Sequence, residues 1–152
     1  LSRRQRQMCI RDRLEGERMG AWGYGVFDDD TAYDALEDLK ASSRIAADLE
    51  RYFDEAIQAE YVGYEEGQYA LVSAAVIDSV INDIPYRCDE KEYFEWTKTL
   101  KNLDFTSLRQ KAVKAIDAVI SDNSELKELW EENKQLYNSW REDKIAIQKR
   151  LL

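Results

Sequence analysis

The sequence predicts an all-α fold, a compact bundle of about five or six helices preceded by an irregular Gly- and Trp-rich segment. Three observations carry this expectation. One proline and six glycines in 152 residues leave long stretches free of the residues that punctuate helices. Apolar side chains recur at intervals of three and four after Thr31. A hydrophobic share of 44% beside a charged share of 35% fits a chain that closes one core and stays soluble.

The elements follow in order. Residues 19–27, MGAWGYGVF, set Gly20, Gly23 and Gly25 between Trp22, Tyr24 and Phe27. Glycine admits positive φ and close backbone approach, and the aromatics can anchor the segment in the core, so an irregular, pinned stretch is expected. The G-x-x-G-x-G spacing follows no strand, carries no lysine and runs into three aspartates, which argues against a phosphate cradle. Asp28, Asp29, Asp30 and Thr31 are N-cap and first-turn residues for a helix over 31–39 with Ala32, Ala35, Leu36 and Leu39 on its apolar stripe. Asp28 and Asp30 as a cation pair is the competing reading, but no loop of further ligands follows them.

Ser42 or Ser43 is placed to cap a second helix ending near Tyr61, with Ile45, Leu49, Tyr52, Phe53, Ala56 and Ile57 on one face. The run 68–84, QYALVSAAVIDSVINDI, is apolar around most of the helical wheel and belongs at the centre of the bundle. Pro85 ends it. A helix over about 89–101 follows, then one capped by Thr106 with Leu108, Ala112, Ala115, Ile116 and Val119 in register. Ser124 caps a last, long helix carrying Leu126, Leu129, Trp130, Leu136, Tyr137, Trp140, Ile147 and Leu151. Asn133 and Lys144 interrupt the seam a coiled-coil dimer needs, so this helix is expected to dock on its own bundle. No linker or repeat divides the elements, and residues 19–152 read as one helical domain.

Residues 1–18 differ. They hold six arginines, lack an apolar period and stop immediately before Met19. The stretch QRQMCIRDR resembles translated sequencing-adapter read-through, so these residues are read as a non-native, disordered extension and Met19 as the start. A basic nucleic-acid arm would gain from interleaved aromatics or helical spacing, and neither is present.

Charge narrows the partners. The net charge is −9, and without residues 1–18 the balance is sixteen basic against twenty-eight acidic residues, or −12. Such a surface repels phosphate backbones and anionic lipid and attracts a basic protein. No nucleic-acid or membrane partner is expected. No apolar run reaches the ~20 residues of a membrane span, and the N-terminus lacks the apolar centre of a signal peptide, which gives a cytoplasmic reading. Cys9 and Cys88 read as free thiols, and the absence of histidine removes the usual hydrolase base and the commonest metal ligand.

MGAWGYGVFDDDTAYDALEDL, from Met19, resembles the opening of the domain-of-unknown-function 4259 family, a Met-Gly-x-Trp-Gly-x-Gly-x-Phe block followed by an acidic cap and a short helix. SELKELWEE, from Ser124, is similar to that family's Ser-Glu-Leu-x-x-Leu-Trp segment. The resemblance implies a small bacterial helical domain and marks Trp22, Gly23, Gly25 and Phe27 as a family block. It brings no established activity, cofactor or catalytic residue.

Two functional readings remain, and the favoured one calls for no cofactor. The first is a non-enzymatic protein-binding module, an acidic neutraliser of a basic partner of the immunity or antitoxin kind, with Tyr61, Tyr64 and Tyr69 near Gly63 and Gly67, and Trp22 of the N-terminal block, as aromatic anchors. The alternative is a carboxylate-based divalent-metal site or enzyme. Asp34 and Asp38 lie one helical turn apart, and Asp78 sits in the most apolar helix; if those helices pack together, the three carboxylates meet. The plainer placement leaves Asp34 and Asp38 in solvent and either pairs Asp78 with a lysine or tyrosine or sets it at a partly wet edge.

Overall fold

A computed structural model describes residues 22–152; the readings made for residues 1–18 and for Cys9 lie outside them. Among the described residues there are seven α-helices: α1 (Asp30–Lys40), α2 (Ile45–Gln58), α3 (Tyr64–Asn82), α4 (Tyr93–Lys98), α5 (Arg109–Ile120), α6 (Glu125–Glu131) and α7 (Tyr137–Leu151). A 3₁₀ turn, Thr106–Leu108, leads into α5. The all-α expectation holds.

The core is built around α3, whose residues from Gly67 to Val80 are all buried. That follows from its composition, since a helix apolar on every side is stable only where neighbours cover it all round. α1, α2, α5 and α7 pack along it, α2 also lies on α5, and α5 on α7. One contiguous buried cluster joins Phe27, Leu36, Phe53, Ile77, Tyr93, Ile116, Leu126, Trp140 and Ile147 across these elements.

Local chemistry explains the boundaries. Asp29 is the N-cap of α1, its Oδ1 accepting the Thr31 N–H at 2.7 Å. Ser124 caps α6 by accepting the Lys127 N–H at 3.3 Å, as its position before an apolar stripe predicts. α3 stops at Asn82, with Asp83 in the left-handed region (φ 56°) two residues ahead of Pro85.

Several boundaries differ from expectation. The single long helix after Ser124 is two: Asn133 turns its Oδ1 onto the Leu136 N–H at 3.1 Å, and this local bond competes with helix continuation. α2 starts at Ile45 because Ser42 Oγ accepts the Arg44 N–H and reaches Asp48 at 2.5 Å, making a turn instead of a cap. The helix read over 89–101 shrinks to α4, and Asp104 rather than Thr106 supplies the acceptor that precedes α5, taking the Thr106 N–H at 2.9 Å.

Candidate functional site

The first residue of α3 and the cap of α1 meet where the Tyr64 hydroxyl donates to Asp29 Oδ2. Asp29 is buried, and desolvation raises its pKa against the pull of Tyr64 and of the Thr31 and Ala32 amides. α6 starts beside the same end. Val62 forms a parallel bridge with Ser124, its N–H donating to Asn123 O and its carbonyl accepting the Glu125 N–H, both at 2.9 Å. Glu125 Oε1 in turn accepts the Tyr64 N–H at 3.2 Å, and Glu66 accepts the Gly63 N–H at 3.3 Å.

Three helix starts therefore share an end rich in carboxylates: Asp30 on α1, Glu65 and Glu66 on α3, Glu125 and Glu128 on α6. First-turn acids suit the positive helix ends. Tyr61 stands in this setting with 46% of its surface exposed, and its hydroxyl donates to Glu128 Oε2 at 2.8 Å. Desolvation first, then that carboxylate, pushes the phenol up to about 12, so it stays neutral and a donor.

The other tyrosines expected here are not surface groups. Tyr64 is buried, and Tyr69 is buried with its ring edge-on to Tyr52 at 5.0 Å and its hydroxyl donating to Asp38 Oδ2 at 2.9 Å. They join the core because α3 lies at its centre, which a tyrosine's polar tip does not prevent when a carboxylate is in reach.

The three carboxylates of the metal reading are not gathered into one metal-holding group among the described residues. Asp78 has no exposed surface, and its partners are Asn82 Nδ2 at 2.8 Å, the Tyr86 hydroxyl at 2.5 Å and Arg150 at 2.8 Å. Tyr86 agrees with the expected tyrosine partner, while the cation is Arg150 of α7 and not a lysine. Asp38 is engaged by Tyr69, and Asp34 is buried on α1 rather than solvated. Among the described residues no three His, Cys, Asp or Glu side chains are grouped to hold a metal ion.

The glycine-rich loop before α1 is organised by Asp28. Gly25 N–H donates to Asp28 Oδ2 at 3.1 Å, Asp28 N–H to Gly25 O at 3.1 Å, and Trp22 N–H to Asp28 O at 2.9 Å. A Cβ on Gly23 would stand 2.5 Å from Asp28 Oδ2, and one on Gly25 2.9 Å. Close approach, not positive φ, is what requires glycine here. The loop buries Val26 and Phe27 but turns Trp22 (44% exposed) and Tyr24 (42%) outward, so two of the three aromatics expected in the core are not in it. Trp22 lies parallel to Tyr33, ring centroids 6.2 Å apart.

Lys144 holds the loop from beneath. It is 1% exposed, its Nζ donating to Tyr24 O and to Asp143 Oδ2, both at 2.7 Å. Desolvation lowers its pKa, against Asp143 and Asp28. Lys144, Arg150 and Glu128 are site residues that sequence reading misses, whereas Asp28 is read there as a capping residue or half of a cation pair and not as the organiser of the loop. Only Lys144 carries a signal, a charged residue on the apolar face between Trp140 and Ile147.

Comparison with known families adds one match. The family model described as Domain of unknown function (DUF4259) matches residues 20–143, from the start of the glycine block into α7. No curated protein and no solved structure matches the chain. With most of its length covered by that model, the chain belongs to the DUF4259 family.

Proposed function

We propose that this protein is a non-enzymatic protein-binding module that receives a basic partner at the end where α1, α3 and α6 begin, in the manner of an immunity or antitoxin protein. The carrying observation is Tyr61, exposed and hydrogen-bonded to Glu128 amid first-turn acids. A tyrosine fixed in one rotamer gives contact area at small entropic cost, and the surrounding carboxylates steer a cation toward it. The acidic balance of 22 basic to 31 acidic residues over the whole chain supports the same choice of partner.

The test uses purified products of adjacent genes that carry net positive charge, measured by surface-based binding kinetics. Tyr61→Ala and Glu128→Gln should each weaken binding at least about tenfold, because hot-spot truncations cost that much. The association rate should fall about tenfold or more as salt rises from roughly 0.05 to 0.5 M. Association indifferent to salt, or a Tyr61→Ala protein that binds as the parent does, refutes the reading.

A further inference from the structure

The loop over 22–28 is closed on itself. Its Trp22, Gly25 and Asp28 amides all donate within the loop, so its own hydrogen bonds survive if it moves as a body. Among the described residues its hydrogen-bond tie to the bundle is Lys144 Nζ to Tyr24 O. Its apolar hold is equally localised: Val26 and Phe27 are its buried side chains, and Phe27 sits in a socket walled by Tyr33, Tyr86 and Tyr93, with ring centroids 6.2, 6.0 and 4.8 Å away. The socket walls have independent support. Tyr86 is fixed by Asp78, Tyr93 by Ser79 at 2.7 Å, and the Tyr33 hydroxyl accepts the Asp89 N–H at 2.9 Å.

We propose that residues 22–28 open and close as one strap, hinged at the Asp29 cap, with Lys144 as its latch and Phe27 as its plug. Among the described residues the segment is held by one charged hydrogen bond, two buried side chains and the Trp22 ring on Tyr33, and a segment held so locally opens far more often than a core that must unfold to expose α3. Opening bares three tyrosine rings whose hydroxyls are already paired, a ring-sized apolar socket. The cost of burying Lys144 is explained by the same device: a fully buried ammonium is expensive, and here it converts a distant helix into the fastener of the N-terminal loop.

Thiol labelling in the native state tests this on the full chain with Cys9→Ser and Cys88→Ser as background. Val26→Cys, near in size to the parent, places a thiol under the strap, and Val76→Cys places one in the middle of α3. The Val26→Cys thiol should react with a disulfide reagent at a rate insensitive to low urea, while the Val76→Cys thiol reacts only as global unfolding allows. Lys144→Met should speed the first by about ten- to a hundredfold, the worth of one charge-assisted hydrogen bond, while the second shifts only by the factor that the variant's global stability, measured by urea unfolding, requires. Equal urea dependence of the two thiols in the Lys144 protein overturns the proposal, whatever the variant does. So does a Lys144→Met protein in which the Val26→Cys rate stays put, or in which both rates rise by the same factor.

Discussion

Separating Asp78 from Arg150 is the sharpest perturbation of the polar interior. Asp78 is fully buried and its Oδ2 receives both Tyr86 and Arg150, whereas about a third of the Arg150 side chain is exposed. Removing one partner of a buried ion pair costs about 3–5 kcal/mol, because the remaining charge is stranded. The two removals are unequal. Arg150→Met strands a carboxylate that has no route to water and should cost about 3 kcal/mol, the low end of that range, since Tyr86 and Asn82 still donate to it. Asp78→Ala leaves an arginine that can swing into solvent, and about 2 kcal/mol is expected from the lost hydrogen bonds and packing. The double variant should cost little more than either single one, a coupling of about 2 kcal/mol. Urea unfolding at neutral pH, followed by tryptophan fluorescence, reads all four corners of the cycle, and the Arg150→Met midpoint temperature should drop by roughly 10 °C. Additive single costs, or an Arg150→Met protein as stable as its parent, would show that the pair does not hold α7 to α3 in solution.

Four further outcomes follow from the same geometry. Lys144 has a depressed folded-state pKa, so the unfolded chain binds more protons between that value and the normal 10.5; its burial penalty is complete below the folded value and fades as pH climbs from there toward the unfolded one. The stability difference between Lys144→Met and the parent, measured by urea titration at several pH values, should therefore shrink as pH rises from 8 toward about 10.5. Asp29 shows the opposite sign: its folded pKa is raised, its penalty is absent below about 3.8 and complete above the folded value, so Asp29→Asn should gain on the parent as pH rises from 4 to 7, by the same titration. Ser73 is fully buried in α3 and its Oγ has no hydrogen-bond partner among the described residues; Ser73→Ala should raise stability by about 1 kcal/mol in calorimetry, and a loss would show that a bound water satisfies the hydroxyl. Gly23→Ala should cost about 1–3 kcal/mol through its clash with Asp28, and clearly less in an Asp28→Ala background where the carboxylate is gone.

What the chain reveals before folding is mostly what its local chemistry decides. The cap at Asp29, the cap at Ser124 and the stop before Pro85 are readable because a short acceptor or a proline acts on its own neighbours. The central place of α3 is readable because no face of it suits water. The break at 132–136 is harder, since Asn133 competes with helix through one side-chain bond that an apolar stripe conceals. The candidate site suffers most, because its contacts are distant in sequence. Lys144 meets Tyr24 across 120 residues, Arg150 meets Asp78 across 72, and Tyr61 meets Glu128 across 67. Tyr64 and Tyr69 look alike with Tyr61 in the sequence, and only the position of α3 decides that two go inward and one stays out.

The central structural claim is that α1, α2, α5 and α7 close one core around α3, with α6 and its tryptophan belonging to it. Urea unfolding watched in parallel by helix ellipticity and by tryptophan fluorescence tests it most directly, because Trp130 and Trp140 stack 6.0 Å apart across α6 and α7 while Trp96 reports on α4. The two signals should trace one coincident transition. Two separated transitions, with the tryptophans released while most of the helix persists, would contradict a single core.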